Sequence, residues 1–276
     1  MGDVVTVENA VGPSLAAEDR AALVEAVRVL EHPSLAARLS ALAGRPLDLL
    51  GRILPGPVQD AVTRAVEAAL KASLRLALWS LRRSRPDRTG RVHKALAAGS
   101  GALGGAFGLM SLPLELPVST TIMLRAIADI ARSEGEDLTD PEAALACVQV
   151  FALGGRSDAE GLAESGYFAV RGALAKSVTE AARYIAERGL VEEGAPVLVR
   201  LAAQIASRFG LVVSQKLAAQ AVPVIGAVGG AALNAAFTDH FQAVARGHFT
   251  VRRLERVYGK DAVRAAYEAI RTAEGP

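Results

Sequence analysis

Residues 99–110 read GSGALGGAFGLM, and the first six of them satisfy G-x-G-x-x-G, the spacing with which glycines cradle a dinucleotide. Whether these glycines hold a phosphate or a neighbouring helix decides the fold. A dinucleotide loop needs a strand before it, a helix after it and an acidic residue about twenty positions on. Upstream stands RVHKALAA, which reads as helix and has no β-branched run. Downstream, Glu115 and Asp129 are badly placed for a βαβ unit, and the Walker pattern is absent. A second spacing accounts for more of the glycines. Gly101 and Gly105 are four apart, as are Gly104 and Gly108, and Gly226 and Gly230. Small residues at that interval cut a groove along a helix and admit another helix backbone. Residues 99–109 and 224–236 are therefore expected to form two closely crossing helices. Gly101, Gly105, Gly108, Gly226 and Gly230 line the groove, and Pro113, Pro117 and Pro223 sit at the helix edges.

Both glycine clusters lie in charge-free runs, 95–114 and 217–238. Each is about twenty residues, the length that spans a hydrocarbon core. They are rich in Ala and Gly, poor in Leu, Ile and Phe, and lack interfacial aromatics at their flanks, all of which weakens insertion. The main expectation is a pair of central helices buried on all sides. A membrane-inserting hairpin and true spanning helices are the alternatives.

The remainder also repeats at helical period. In 17–31, Ala22, Val24, Val27 and Leu30 share one face, while Glu18, Arg20, Glu25 and Arg28 share another. A helix is expected from about 58 to 83, amphipathic helices at 117–134, 139–153, 157–188 and 194–220, and a stop at Gly259. A final helix follows, with Val263, Ala266, Tyr267 and Ile270 as its apolar face. No segment alternates at period two. Aromatics are 4% of the chain and alanine is about a fifth, a composition for helices packed through small side chains. The expectation is an all-α, multi-helix globular domain around two central Gly/Ala-rich apolar helices, with an N-terminal helical preface at 1–54 and the main domain at 55–276.

The formal charge of +2 argues against a nucleic-acid partner. Cys147 is the one cysteine, which excludes an intrachain disulfide framework and fits a reducing compartment. In ALACVQVFAL it reads as a small hydrophobe more readily than as a nucleophile. The first residues show no basic-then-apolar leader, so a cytoplasmic protein is expected. Met1-Gly2 with Thr6 formally meets the myristoylation pattern, which Asp3 counts against.

Polar residues amid apolar ones suggest a site. Glu115 stands at a probable helix start, where the dipole favours a carboxylate. Arg125 and Asp129 are four apart and suited to pair. Asn234, Asp239 and His240 follow the second glycine run. Glu115, Arg125, Asn234, Asp239 and His240 could meet where the two helices cross, giving a polar cluster beside an apolar groove, the anatomy of an amphiphile site. The same residues would equally serve as a structural network holding the crossing in register. Four histidines without H-x-x-x-H or H-E-x-x-H give no metal expectation, and none is made for a cofactor. His240 and His248 are about 12 Å apart along a helix, too far for shared ligation. Trp79 precedes Arg82, Arg83, Arg85 and Arg88, a grouping suited to an anionic membrane surface or to a solvated helix C-terminus.

The stretch LPLELPVSTTIMLRAIADIARSEGEDLTDPEAALACVQVFALGG resembles the EcsC family. Glu115, where aspartate is more typical, is followed by Leu116 and Pro117, and then Leu124, Arg125, Ile127, Ile130 and Ala131 fit the family's aliphatic run. The usual tyrosine-glycine is Glu134-Gly135 here. AVPVIGAVGGAALNAAFTDHF is similar to the second apolar motif, and HFTVRRLERVYG to the C-terminal arginine-leucine and tyrosine-glycine signature. The similarity covers roughly 55–270 and implies an all-α protein associated with membranes, with no catalytic residues to carry over. The function expected is a membrane-peripheral or lipid-binding helical protein, cytoplasmic or on the inner face of the membrane, whose partner is a lipid or other amphiphile. The alternatives are an interaction protein that mates with a partner or itself through small-residue faces, and a lipid-modifying hydrolase using Glu115, Asp239 or His240.

Overall fold

The computed structural model of the protein describes residues 15–31, 35, 56–80, 112–155, 166–188, 195–220 and 226–274. Among these it is all-α, with no strand. The helices are α1 (Ala17–Glu31), α2 (Gly56–Ser80), α3 (Leu112–Ser133), α4 (Pro141–Leu153), α5 (Tyr167–Arg188), α6 (Pro196–Gln220), α7 (Gly226–Tyr258) and α8 (Lys260–Glu274).

α4 lies at the centre. Asp140 caps its start by accepting from the Glu142 amide at 3.0 Å, and Pro141 supplies a preset first turn. Every residue from Ala143 to Leu153 is buried, and α2, α3, α5, α6 and α7 all pack against it. The expected amphipathic helix at 139–153 is thus corrected to one apolar all round. The physical reason is that ALACVQVFAL carries no charge and is short enough for neighbours to surround it. Cys147 is buried there, its thiol donating to the Ala143 carbonyl, and burial pushes its pKa up to about 12. It behaves as a small hydrophobe.

Four of the seven phenylalanines meet where α4, α6 and α7 join. Ring centroids are 4.9 Å apart for Phe151–Phe209, 5.4 Å for Phe151–Phe241 and 5.1 Å for Phe237–Phe241. Each such ring contributes about 1.5–3 kcal/mol on burial. Gly155 permits this convergence. A Cβ there would lie 2.4 Å from the Arg208 carbonyl oxygen on α6, a backbone atom that cannot swing away.

α7 is a single helix of 33 residues, about 50 Å long. It joins the second glycine run to the arginine-rich C-terminal stretch without a break. Gly247 does not interrupt it, and a Cβ there would be 3.0 Å from Leu30, so α1 approaches closely at this point. Gly259, at φ +86°, ends α7 where expected. α8 buries Val263, Tyr267 and Ile270 as its periodicity predicts. α1, from the stretch expected as a preface, packs on α7 and α8 through Leu23, Ala26, Val27 and Leu30. α3 begins at Leu112 and continues through Pro117, which the sequence placed at an edge. Pro117 comes early enough to forfeit only one helical hydrogen bond.

Candidate functional site

α7 carries two different neighbourhoods along its length. Its N-terminal half opens in the second charge-free run, with Gly226 and Gly230 in the first turns. Asn234 and Thr238 are buried on either side of Phe237, and Lys216 of α6, 2% exposed, sets its ammonium 5.1 Å from the Phe237 ring centre. An ammonium over an aromatic face is held by the ring quadrupole. His240 is buried with Nε2 3.0 Å from the Gly154 carbonyl oxygen, at the end of α4, and its ring stands edge-on to Phe241. Asp239 is half-buried.

Of the other expected site residues, Glu115 falls in the first turns of α3, but its side chain lies outside the described residues. Arg125 is exposed on α3, whereas Asn234 and His240 are buried on α7. Asp129 takes Arg132 as an ion-pair partner at 3.1 Å, one turn along the helix. Gly101, Gly105, Gly108, Arg82, Arg83, Arg85 and Arg88 lie outside the described residues, as does the side chain of Trp79 at the end of α2. Among the described residues no cluster of three His, Cys, Asp or Glu could hold a metal ion.

The C-terminal half of α7 holds a network that sequence reasoning missed. α3 ends in a Schellman turn. Gly135 adopts φ +80°, its amide donates to the Arg132 carbonyl, and the Glu136 amide donates to the Ala131 carbonyl. That turn presents Glu134 and Glu136 to the arginines of α7. Arg252 grips Glu136 with two bonds of 2.8 and 3.1 Å, and Arg256 joins the same carboxylate and the Glu134 carbonyl. Arg253 bridges Glu134 at 2.9 Å and Asp19 of α1 at 2.8 Å. Tyr258 donates to Asp19 at 2.7 Å, and Tyr267 of α8 donates to Glu31 at 2.7 Å. Burial alone would raise the Glu136 pKa, but its bonds to Arg252 and Arg256 prevail and lower it. Asp19 is lowered by the Tyr258 hydroxyl and by Arg253.

Deeper in, Arg171 of α5 binds Glu255 through two bonds of 2.7 Å and donates to the Tyr167 oxygen at 3.3 Å. The Tyr167 hydroxyl also hydrogen-bonds His248 Nδ1, 2.8 Å away. His248 Nε2 is buried and meets no partner among the described residues. Burial, with Arg171 and Arg252 nearby, holds His248 well below the ordinary histidine range, so it stays neutral. Arg171, Arg252, Glu136, Glu142 and Glu255 line an open cleft of about 330 Å³. The cations drawn into it are matched by carboxylates, so the arrangement ties α1, α5 and the α3–α4 turn to α7.

Two of the motifs quoted from the sequence, Glu134-Gly135 and RRLERVYG, therefore touch in space. The available signal was the density of arginine in 252–256, but nothing in the sequence named its partners.

No curated protein and no solved structure matches the chain. A family model described as the EcsC protein family matches residues 18–254, from the first turn of α1 into the arginine-rich part of α7. That match spans most of the chain and includes Glu134, Gly135, Arg252 and Arg253, and the chain belongs to the EcsC protein family.

Proposed function

We propose that this protein binds an amphiphile and works peripherally at a membrane, on the inner, cytoplasmic face. The observation that carries the reading is the buried polar set bordering the charge-free runs. Ser119 and Thr120 follow the first run, Lys216 immediately precedes the second, and Asn234 and Thr238 lie within it. A cation held over Phe237 amid apolar helices suits an anionic or polar head group, with the small-residue runs taking the acyl or isoprenoid part. Glu115, Asp239 and His240 belong to the same neighbourhood in this reading, and Arg125 stays outside it. The lone cysteine agrees with a reducing compartment.

The test is to denature the purified protein, extract it with organic solvent and compare the extract with a mock purification by mass spectrometry. A stoichiometric lipid or isoprenoid is expected, and Lys216→Met should lower its occupancy. An empty extract from monodisperse protein would sink the pocket reading and leave the small-residue faces as packing or partner surfaces.

A further inference from the structure

α6 is more apolar than its burial requires. Pro196–Leu217 has a mean hydropathy of 1.5, long and apolar enough to cross a membrane, yet only 33% of its most apolar window is buried. α4 shows what a core helix of such character looks like, enclosed from Ala143 to Leu153. The uncovered residues of α6 form one stripe. Pro196, Val199, Arg200, Ala203, Ser207 and Leu211 are exposed, and at 100° per residue they share a single face about 22 Å long. Val199 is 45% exposed and Leu211 43%, and a Cβ added at Gly210 would meet open space.

Cations outnumber acids around this stripe, although Lys176 and Arg200 pair with Glu180 and Arg183 pairs with Glu187. α6 contains no aspartate or glutamate, and its basic residues toward the surface are Arg200 and Arg208, Lys216 being buried against Phe237. An open groove of about 800 Å³ runs along α5 and meets α6 at Val197, rimmed by Lys176, Arg183 and Arg188 against Glu180 and Glu187. Arg200 lies 3.6 Å from Glu180, an exposed pair of little strength. A largely apolar strip that carries Arg200 and lies near a net-cationic groove complements an anionic leaflet. A second copy of the chain suits it less. A face of that length and about 10 Å wide offers roughly 220 Å², against about 800 Å² per partner in a standard stable interface.

We infer that the outer face of α6, from Val199 to Leu211, lies against the head-group layer of an anionic phospholipid leaflet, with the arginines of the α5–α6 groove on the phosphates. This rests on the membrane-peripheral reading above and names the surface that makes contact.

Co-sedimentation with vesicles of phosphatidylcholine, with and without one-third phosphatidylglycerol, tests it. The unaltered protein should bind the anionic vesicles and leave the neutral ones. Val199→Glu with Leu211→Glu should weaken that binding roughly tenfold or more, and Arg200→Gln about fivefold, on anionic vesicles alone. Both sites are exposed, and a circular-dichroism melt matching the parent confirms that the variants fold. If the unaltered protein ignores both vesicles, the membrane reading and this surface fall together. If it binds and the double glutamate variant binds within twofold of it, the α6 assignment is overturned and the membrane reading stands. Dimerisation that disappears in the double variant, with no vesicle binding, would give the stripe to a second copy and overturn the proposal.

Discussion

The two halves of α7 bury comparable lengths of one helix by opposite means. From Leu233 to Ala245 the helix packs mainly through apolar side chains, with Phe237 and Phe241 in the ring cluster and Asn234, Thr238, His240 and Gln242 buried among them. From Gly247 to Tyr258 its partners are carboxylates and tyrosines, and the helix is held by directed bonds to α1, α5 and the α3–α4 turn. The first half is adhesive and tolerant of rearrangement. The second specifies which element docks where, because a guanidinium fork accepts a carboxylate in few geometries.

The sharpest way to break this comparison is Phe241→Ala. It should cost about 3–5 kcal/mol through lost burial and an unfilled cavity, read as a lowered urea midpoint. A loss below about 1 kcal/mol would mean that the ring cluster does not anchor the fold. On the other half, Glu255→Gln leaves the Arg171 guanidinium buried beside a neutral amide. It should cost about 3 kcal/mol, a fall of roughly 6–12 °C in Tm. Replacing both partners, with Arg171→Met and Glu255→Leu, should recover most of that loss, since the penalty comes from the orphaned charge.

The smallest effect is a pH dependence confined to the charged half. Because the folded protein holds His248 neutral, the unfolded chain takes up a proton first as pH falls. The stability tied to neutral His248 is complete above the unfolded value near 6.5 and is lost as pH drops toward the folded value. Between pH 7.5 and 5.5 a loss of about 1 kcal/mol is expected in denaturation midpoints. His248→Asn, which keeps a hydrogen-bonding amide near the Nδ1 position for Tyr167, should abolish it. An unchanged slope in that variant would assign the effect to another group. Glu136, whose folded value is lowered, adds a loss of the same sign only below about pH 4.5.

Local pattern was far more legible in the sequence than long-range pairing. Helical period, the stop at Gly259 and the buried face of α8 all follow from local pattern, and the structure has them. The encirclement of α4 was not visible, since how many neighbours a short apolar helix acquires is a property of the whole assembly. The four-residue spacing that suits Arg125 to Asp129 says nothing of solvent, and Arg125 lies on the exposed side of α3. Asp129 instead meets Arg132, which is also one turn away. Arg252, Arg253 and Arg256 were legible as a signature but not as a network, because their carboxylates lie more than a hundred positions earlier in the chain. Nothing local distinguishes Gly155, because its requirement comes from the Arg208 backbone of a distant helix.

The bonds of Asp19 and Glu31 to α7 and α8 span 234 to 239 residues. On a ribosome adding 5–20 residues per second, α1 emerges roughly 10–50 s before the helices that complete it. Throughout that interval Leu23, Ala26, Val27 and Leu30 have no native surface on α7 or α8 to cover them. The clasp that closes the finished molecule thus makes its first helix the longest-waiting part of synthesis, and the segment in greatest need of shelter while the rest is made.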